Sequence, residues 1–140
     1  MGDRAAKRVG VGRFGNHYVL PPPVTAALDH VFAERSGGVV VIEHSLYARL
    51  HPGMCATTRP NRILLAMSGA EFIADPELLL HEYFHVLRQW RTGALTRWRY
   101  VQESASRGYR ANRFEREARE FAAAAVGAYL ERLRLAATAH

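Results

Sequence analysis

The segment His81-Glu82-Tyr83-Phe84-His85 has the pattern H-E-x-x-H. On a helix, two histidines four positions apart stand one turn apart on the same face, so both imidazoles can reach a single Zn²⁺. The glutamate beside the first histidine is placed to accept a proton from a water that such an ion acidifies. On a helical wheel His81, Glu82 and His85 fall within an arc of about 100°. Leu79, Leu80, Tyr83, Val86, Leu87 and Trp90 cover the opposite side. The pattern predicts a helix whose apolar side packs into a domain while the His-Glu face points into a cleft.

Two histidines make an incomplete site, because catalytic zinc takes three protein ligands and a water. A later helix, starting at Asn112, offers the third. Its apolar stripe is Phe114, Ala118, Phe121, Ala122, Ala125 and Tyr129, and Glu115 and Glu117 project at the margins of that stripe. A carboxylate at the edge of a buried face is costly unless it is paired or binds metal. Glu115 has a second explanation, since Asn112 as N-cap with Glu three residues on resembles a capping box. Glu117 is therefore the favoured ligand, with Glu103 and Glu115 as alternatives.

These groups need elements to hold them. A short strand is expected near His17 to Leu20, followed by Pro21-Pro22-Pro23 as rigid punctuation. Val24 to Arg35 has helical apolar spacing and Gly37-Gly38 stop it. Val39 to Ile42 is β-branched and reads as a strand, as does Arg62 to Met67. Between them, Tyr47 to Asn61 carries turn chemistry at His51-Pro52-Gly53 and Arg59-Pro60-Asn61. Asp75-Pro76 opens the helix with the two histidines, which runs to about Arg91. Further helices fit Leu95 to Arg107 and Asn112 to about Leu135. The expected organisation is a basic tail over residues 1–20 and one α+β domain over 21–140.

Composition bounds the class. The 140 residues, 49% hydrophobic and 23% charged, suit one globular domain and exclude disordered and low-complexity classes. The single cysteine, Cys55, excludes an internal disulfide and reads as a loop thiol. The longest apolar run, Phe121 to Val126, is far short of the roughly 20 residues that span a bilayer. No secretory h-region precedes the domain, so a soluble, cytoplasmic protein that does not engage membranes is expected. The net charge is +6, and the excess is concentrated in residues 1–13 and 86–120. Such a surface admits nucleic acid as a partner, but no recognition motif accompanies it, and a solvated basic face is the simpler reading. His17, His30 and His140 lack partner spacing, while His44 beside Glu43 reads as a hydrogen-bonded structural residue and His51 before Pro52 as a turn residue.

Leu80 to Gln89, followed by Asn112 to Ala122, resembles the small zincin-type metallopeptidases of the gluzincin group, the minigluzincins. The match includes Glu117-Ala118 with Phe121-Ala122. The resemblance implies a small mixed sheet whose edge strand, by analogy Arg62 to Met67, lies above the metal and binds extended peptide. It further implies Zn²⁺ held by His81, His85 and Glu117, with Glu82 as general base in peptide-bond hydrolysis. Tyr109, or Tyr100, would supply an oxyanion donor. The chain departs from the metzincins, since Arg91 stands where their third histidine would be. The implied partner is a peptide or protein substrate, and the arginines suit acidic ones. Two alternatives stand beside this reading. One is a zinc-holding sensor or scaffold with little turnover. The other is an Arg-rich nucleic-acid-associated protein.

Overall fold

The structure is a computed structural model and describes residues 16–49, 56–108 and 112–138. The basic segment before Asn16, together with Cys55, His51, Tyr109 and His140, lies outside these residues. The architecture is mixed α+β, built on a small four-stranded sheet.

Strand β1 (Asn16–Tyr18) leads into helix α1 (Pro22–Phe32). The prolines that punctuate the sequence open α1: Pro21 is the N-cap, with proline in the first turn, where a missing N–H costs nothing. The helix ends earlier than the glycines suggest. Ala33 turns left-handed at φ 55°, and Asp29 accepts hydrogen bonds from the backbone N–H and the hydroxyl of Ser36. Strand β2 (Val40–Glu43) and a short helix α2 (Leu46–Arg49) follow.

Strands β3 (Ala56–Arg59) and β4 (Arg62–Leu65) form a hairpin around Pro60-Asn61, with Asn61 at φ 58°. A proline followed by an asparagine at positive φ is sound turn chemistry. The β-branched pair Thr57-Thr58, hidden in sequence between two turn signals, supplies β3.

The sheet order is β1-β2-β4-β3, with β2 and β4 parallel and the other pairs antiparallel. This corrects the expectation that Arg62 to Met67 is the edge strand. β4 is flanked on both sides, by β2 and by β3, and β3 takes the edge. Val41, Ile63 and Leu65 alternate onto the buried face, as period-two patterning requires.

Helix α3 (Gly69–Ile73) starts at Ser68, whose hydroxyl accepts from the Glu71 N–H. Gly69 is forced by packing, because a Cβ there would sit 2.1 Å from the Tyr18 ring. Helix α4 (Pro76–Phe84) opens as the sequence predicts, with the Asp75 carboxylate accepting from the Leu78 N–H. It continues without a break into a π-helical segment, His85–Trp90. Helix α5 (Arg97–Arg107) and the long helix α6 (Arg113–Thr138) complete the chain.

The core gathers Leu28 and Phe32 of α1, Leu79, Leu80 and Tyr83 of α4, and Ala122 and Tyr129 of α6 with the sheet face. Helix α6 packs against both α1 and α4. Among the described residues, no helix is long and apolar enough to cross a membrane.

Candidate metal centre

The apolar side predicted for α4 is buried, but the His-Glu face does not open into a cleft as expected: Glu82 is 6% and His85 3% exposed, and Trp90 is only half-buried. Leu79, Leu80, Tyr83, Val86 and Leu87 are buried in the core. The opposite face carries His81 and His85, whose rings meet edge to face with centroids 4.8 Å apart. Packing of α4 against α6 brings a carboxylate to them.

That carboxylate belongs to Glu115. Its Oε2 lies 3.0 Å from His81 Nε2, and its Oε1 lies 3.2 Å from His85 Nε2. The two Nε2 atoms are themselves 3.2 Å apart. The side chains are 15%, 4% and 8% exposed for His81, His85 and Glu115. His81, His85 and Glu115 therefore form a group that could hold a metal ion. A tetrahedral ion with donors at roughly 2.0–2.1 Å spaces those donors about 3.3 Å apart. The two Nε2 atoms match that spacing, and each faces its own oxygen of the Glu115 carboxylate.

Glu117, the favoured third ligand in sequence, is not brought to the histidines. Successive helical residues turn by about 100°, so Glu115 and Glu117 diverge by about 200°. Glu117 is exposed, and its Oε2 accepts from Gln89 Nε2 at 3.3 Å. The capping explanation for Glu115 is half right. Asn112 Oδ1 accepts from the N–H groups of Phe114 and Glu115, at 2.8 and 3.4 Å. The Glu115 carboxylate nevertheless reaches across to the imidazoles. A signal for this was present, because Glu115 lies three and seven positions before Ala118 and Ala122, both buried.

Glu103, the other alternative, has a structural task. Its Oε1 accepts from the Arg113 N–H at 3.2 Å, at the start of α6, and lies 3.4 Å from Arg107 Nε. Of the two tyrosines considered, Tyr109 lies outside the described residues. Tyr100, half-buried on α5, places its hydroxyl 3.4 Å from Glu115 Oε1.

Electrostatics distinguish the two buried glutamates. Burial pushes the Glu82 carboxyl up, Glu115 adds to the shift, and the two imidazoles oppose it. For Glu115 burial also acts upward, but hydrogen bonds from His81 and His85 and their charge prevail and hold it well below the usual carboxylate range. Burial works against a charged His85, yet its bonds to Glu115 and Gln89 and the nearby Glu82 leave its pKa raised. One buried acid thus favours its proton and the other refuses it.

Sequence reasoning passed over Gln89. It is 1% exposed, and its Oε1 lies 2.6 Å from His85 Nδ1. A polar residue four positions after His85, on the same helix face, was the available sign. Trp90, next in the π segment, donates from Nε1 to Thr58 Oγ1 at 3.0 Å and so ties the edge strand β3 to the metal-site helix.

No protein-family profile, curated protein or solved structure matches the chain.

Proposed function

We propose that the chain is a zinc-dependent metallopeptidase of the small zincin type, with His81, His85 and Glu115 as ligands and Glu82 as general base. One observation carries the reading: two imidazole Nε2 atoms 3.2 Å apart each face an oxygen of one Glu115 carboxylate, at 3.0 and 3.2 Å, near a buried glutamate of raised pKa. Two imidazoles and one carboxylate with a position left open suit catalytic Zn²⁺.

When bound, zinc would acidify a water and polarise the scissile carbonyl. The chain's own residues do the rest. Glu82 takes a proton as the water oxygen attacks the carbonyl carbon. It then passes that proton to the amine nitrogen as the C–N bond breaks. A carboxyl pushed up by burial is better matched to both transfers near neutral pH than an exposed one. Tyr100, whose hydroxyl lies 3.4 Å from Glu115 Oε1, would serve as the oxyanion donor in this reading. The edge strand β3, tethered by Trp90, offers backbone groups to an extended peptide.

Reconstituting the full chain with zinc and screening a peptide library tests the proposal. Cleavage that disappears in Glu82→Gln while zinc is retained supports it. Zinc bound with no cleavage of any peptide, or cleavage undiminished in Glu82→Gln, overturns it.

A further inference from the structure

We infer that Gln89 is a positioning residue that holds His85 in the tautomer with its proton on Nδ1, leaving the Nε2 lone pair to face the metal position. The inference rests on the metal-centre reading above and adds the group that orients one of its ligands.

Gln89 Nε2 lies 3.0 Å from the Phe114 carbonyl oxygen and 3.3 Å from Glu117 Oε2. Both of those oxygens can only accept, so the amide nitrogen must face them. The amide oxygen is then fixed toward His85 Nδ1, at 2.6 Å. An amide oxygen also can only accept, so Nδ1 must carry the hydrogen. A neutral imidazole has one N–H, and Nε2 is left bare.

That bare nitrogen lies 3.2 Å from a carboxylate oxygen of Glu115 and 3.2 Å from His81 Nε2. On the neutral ring, that lone pair is open to a proton donated by His81 Nε2 in the metal-free chain or to a metal ion in its place. The Gln89 amide therefore directs the ring as the outer partner of a ligand histidine does. It also ties the π segment to α6 at Phe114, the residue before Glu115, and so links both halves of the donor set. Both amide hydrogens and the amide oxygen are engaged, which leaves no freedom for a flip. Glu117, displaced as a ligand, acquires a role as acceptor for the second of those hydrogens.

The test uses the full chain labelled with ¹⁵N-histidine, wild type against Gln89→Leu and Gln89→Glu. Long-range ¹H–¹⁵N correlations on metal-free protein, at a pH where the His85 ring is neutral, report its tautomer. Competition against a chromophoric chelator reports zinc affinity. Wild type is expected to carry Nδ1–H. Gln89→Leu is expected to lose that preference and to bind zinc at least tenfold more weakly, in the range seen when such outer partners are removed. Gln89→Glu keeps an acceptor at Nδ1 but loses the donor to Phe114, and it is expected to retain the tautomer. A merely structural role predicts that both variants fail alike.

An Nε2–H ring in wild type overturns the inference. So does a folded Gln89→Leu protein with unchanged tautomer and affinity. If Gln89→Leu does not fold, loss of Nδ1–H in Gln89→Glu overturns it instead, and retention supports it. Absence of zinc binding in wild type would remove the metal-centre reading, while the tautomer comparison would still decide the role of Gln89.

Discussion

Helix α4 with its π continuation and helix α6 carry the candidate metal ligands, and helix α5 brings Tyr100 beside Glu115, yet the three are held in different ways. α4 and α6 pack against each other, and Leu79, Leu80, Tyr83, Ala122 and Tyr129 share one buried core cluster. α5 contributes no buried side chain among those described, and its Trp98 is 68% exposed. It is held by polar contacts at its ends and along one side. Thr96 caps its start, Asn112 Nδ2 donates to Ser104 Oγ, Glu103 accepts from the Arg113 N–H, and Tyr100 reaches Glu115. The donor atoms sit on close-packed helices whose positions a small strain cannot shift. The helix that brings Tyr100 is fastened by hydrogen bonds that individually contribute about 1 kcal/mol. Rigid ligands beside a more loosely held flank is the arrangement a site needs if substrate is to enter beside a fixed metal.

The sharpest way to break this contrast is to empty the packed side. Leu80→Ala, at a fully buried position, is expected to lose about 2–5 kcal/mol of stability in chemical denaturation, with zinc binding weakened as the α4–α6 geometry relaxes. A loss below 1 kcal/mol would show that this interface is not the rigid half.

The next effect is one of pH. His85 has a raised pKa, so its favourable pairing is complete below the ordinary value of 6.5 and is lost as pH rises through the folded value. Glu115 has a lowered pKa, so its contribution is complete above the ordinary value of 4.5 and is lost as pH falls through the folded value. Glu82, with a raised pKa, also destabilises the metal-free fold as pH rises. The metal-free chain should therefore gain most from this cluster between about pH 4.5 and 6.5 and melt at lower temperature in alkaline buffer. Zinc must displace the His85 proton, so its affinity should change in the opposite sense, weakening up to about tenfold per pH unit on the acid side. Calorimetry with and without zinc across pH 4 to 9 measures both trends. Parallel rather than opposed slopes would contradict the ligand role of His85.

A smaller effect is expected at the junction of the two regions. Asn112→Ala removes both the cap on α6 and the bond to Ser104 on α5, and should cost about 1 kcal/mol. If α5 is held chiefly by these polar contacts, hydrogen exchange in 97–107 should accelerate more than in α4. The smallest effect belongs to Trp98→Ala, which should fall within about 0.5 kcal/mol of wild type because the ring faces solvent. A larger loss would mean that α5 is packed more firmly than its exposure implies.

What could be read in the sequence was what local chemistry fixes. Asp75-Pro76 announced the start of α4, and the apolar positions from Leu79 to Leu87 announced which side would be buried. The two histidines and Glu82 followed from that wheel. The identity of the third donor did not follow, because it depends on how α6 is rotated against α4. Two glutamates two positions apart both border the apolar stripe, and only packing decides which one turns inward. Edge and centre of the sheet were likewise undetermined, since β3 is brief and its threonines sit between turn signals. The π segment that carries Gln89 leaves no mark in periodicity, because one widened turn changes spacing too little to see.

The central claim is that Glu115, not Glu117, completes the donor set. Elemental analysis of chain purified without a histidine tag, for wild type, Glu115→Ala and Glu117→Ala after zinc loading and dialysis, tests it directly. About one zinc per chain in wild type and in Glu117→Ala, with most of it lost in Glu115→Ala, is the predicted result. Zinc retained in Glu115→Ala and lost in Glu117→Ala, or no zinc held by the wild type, would contradict it.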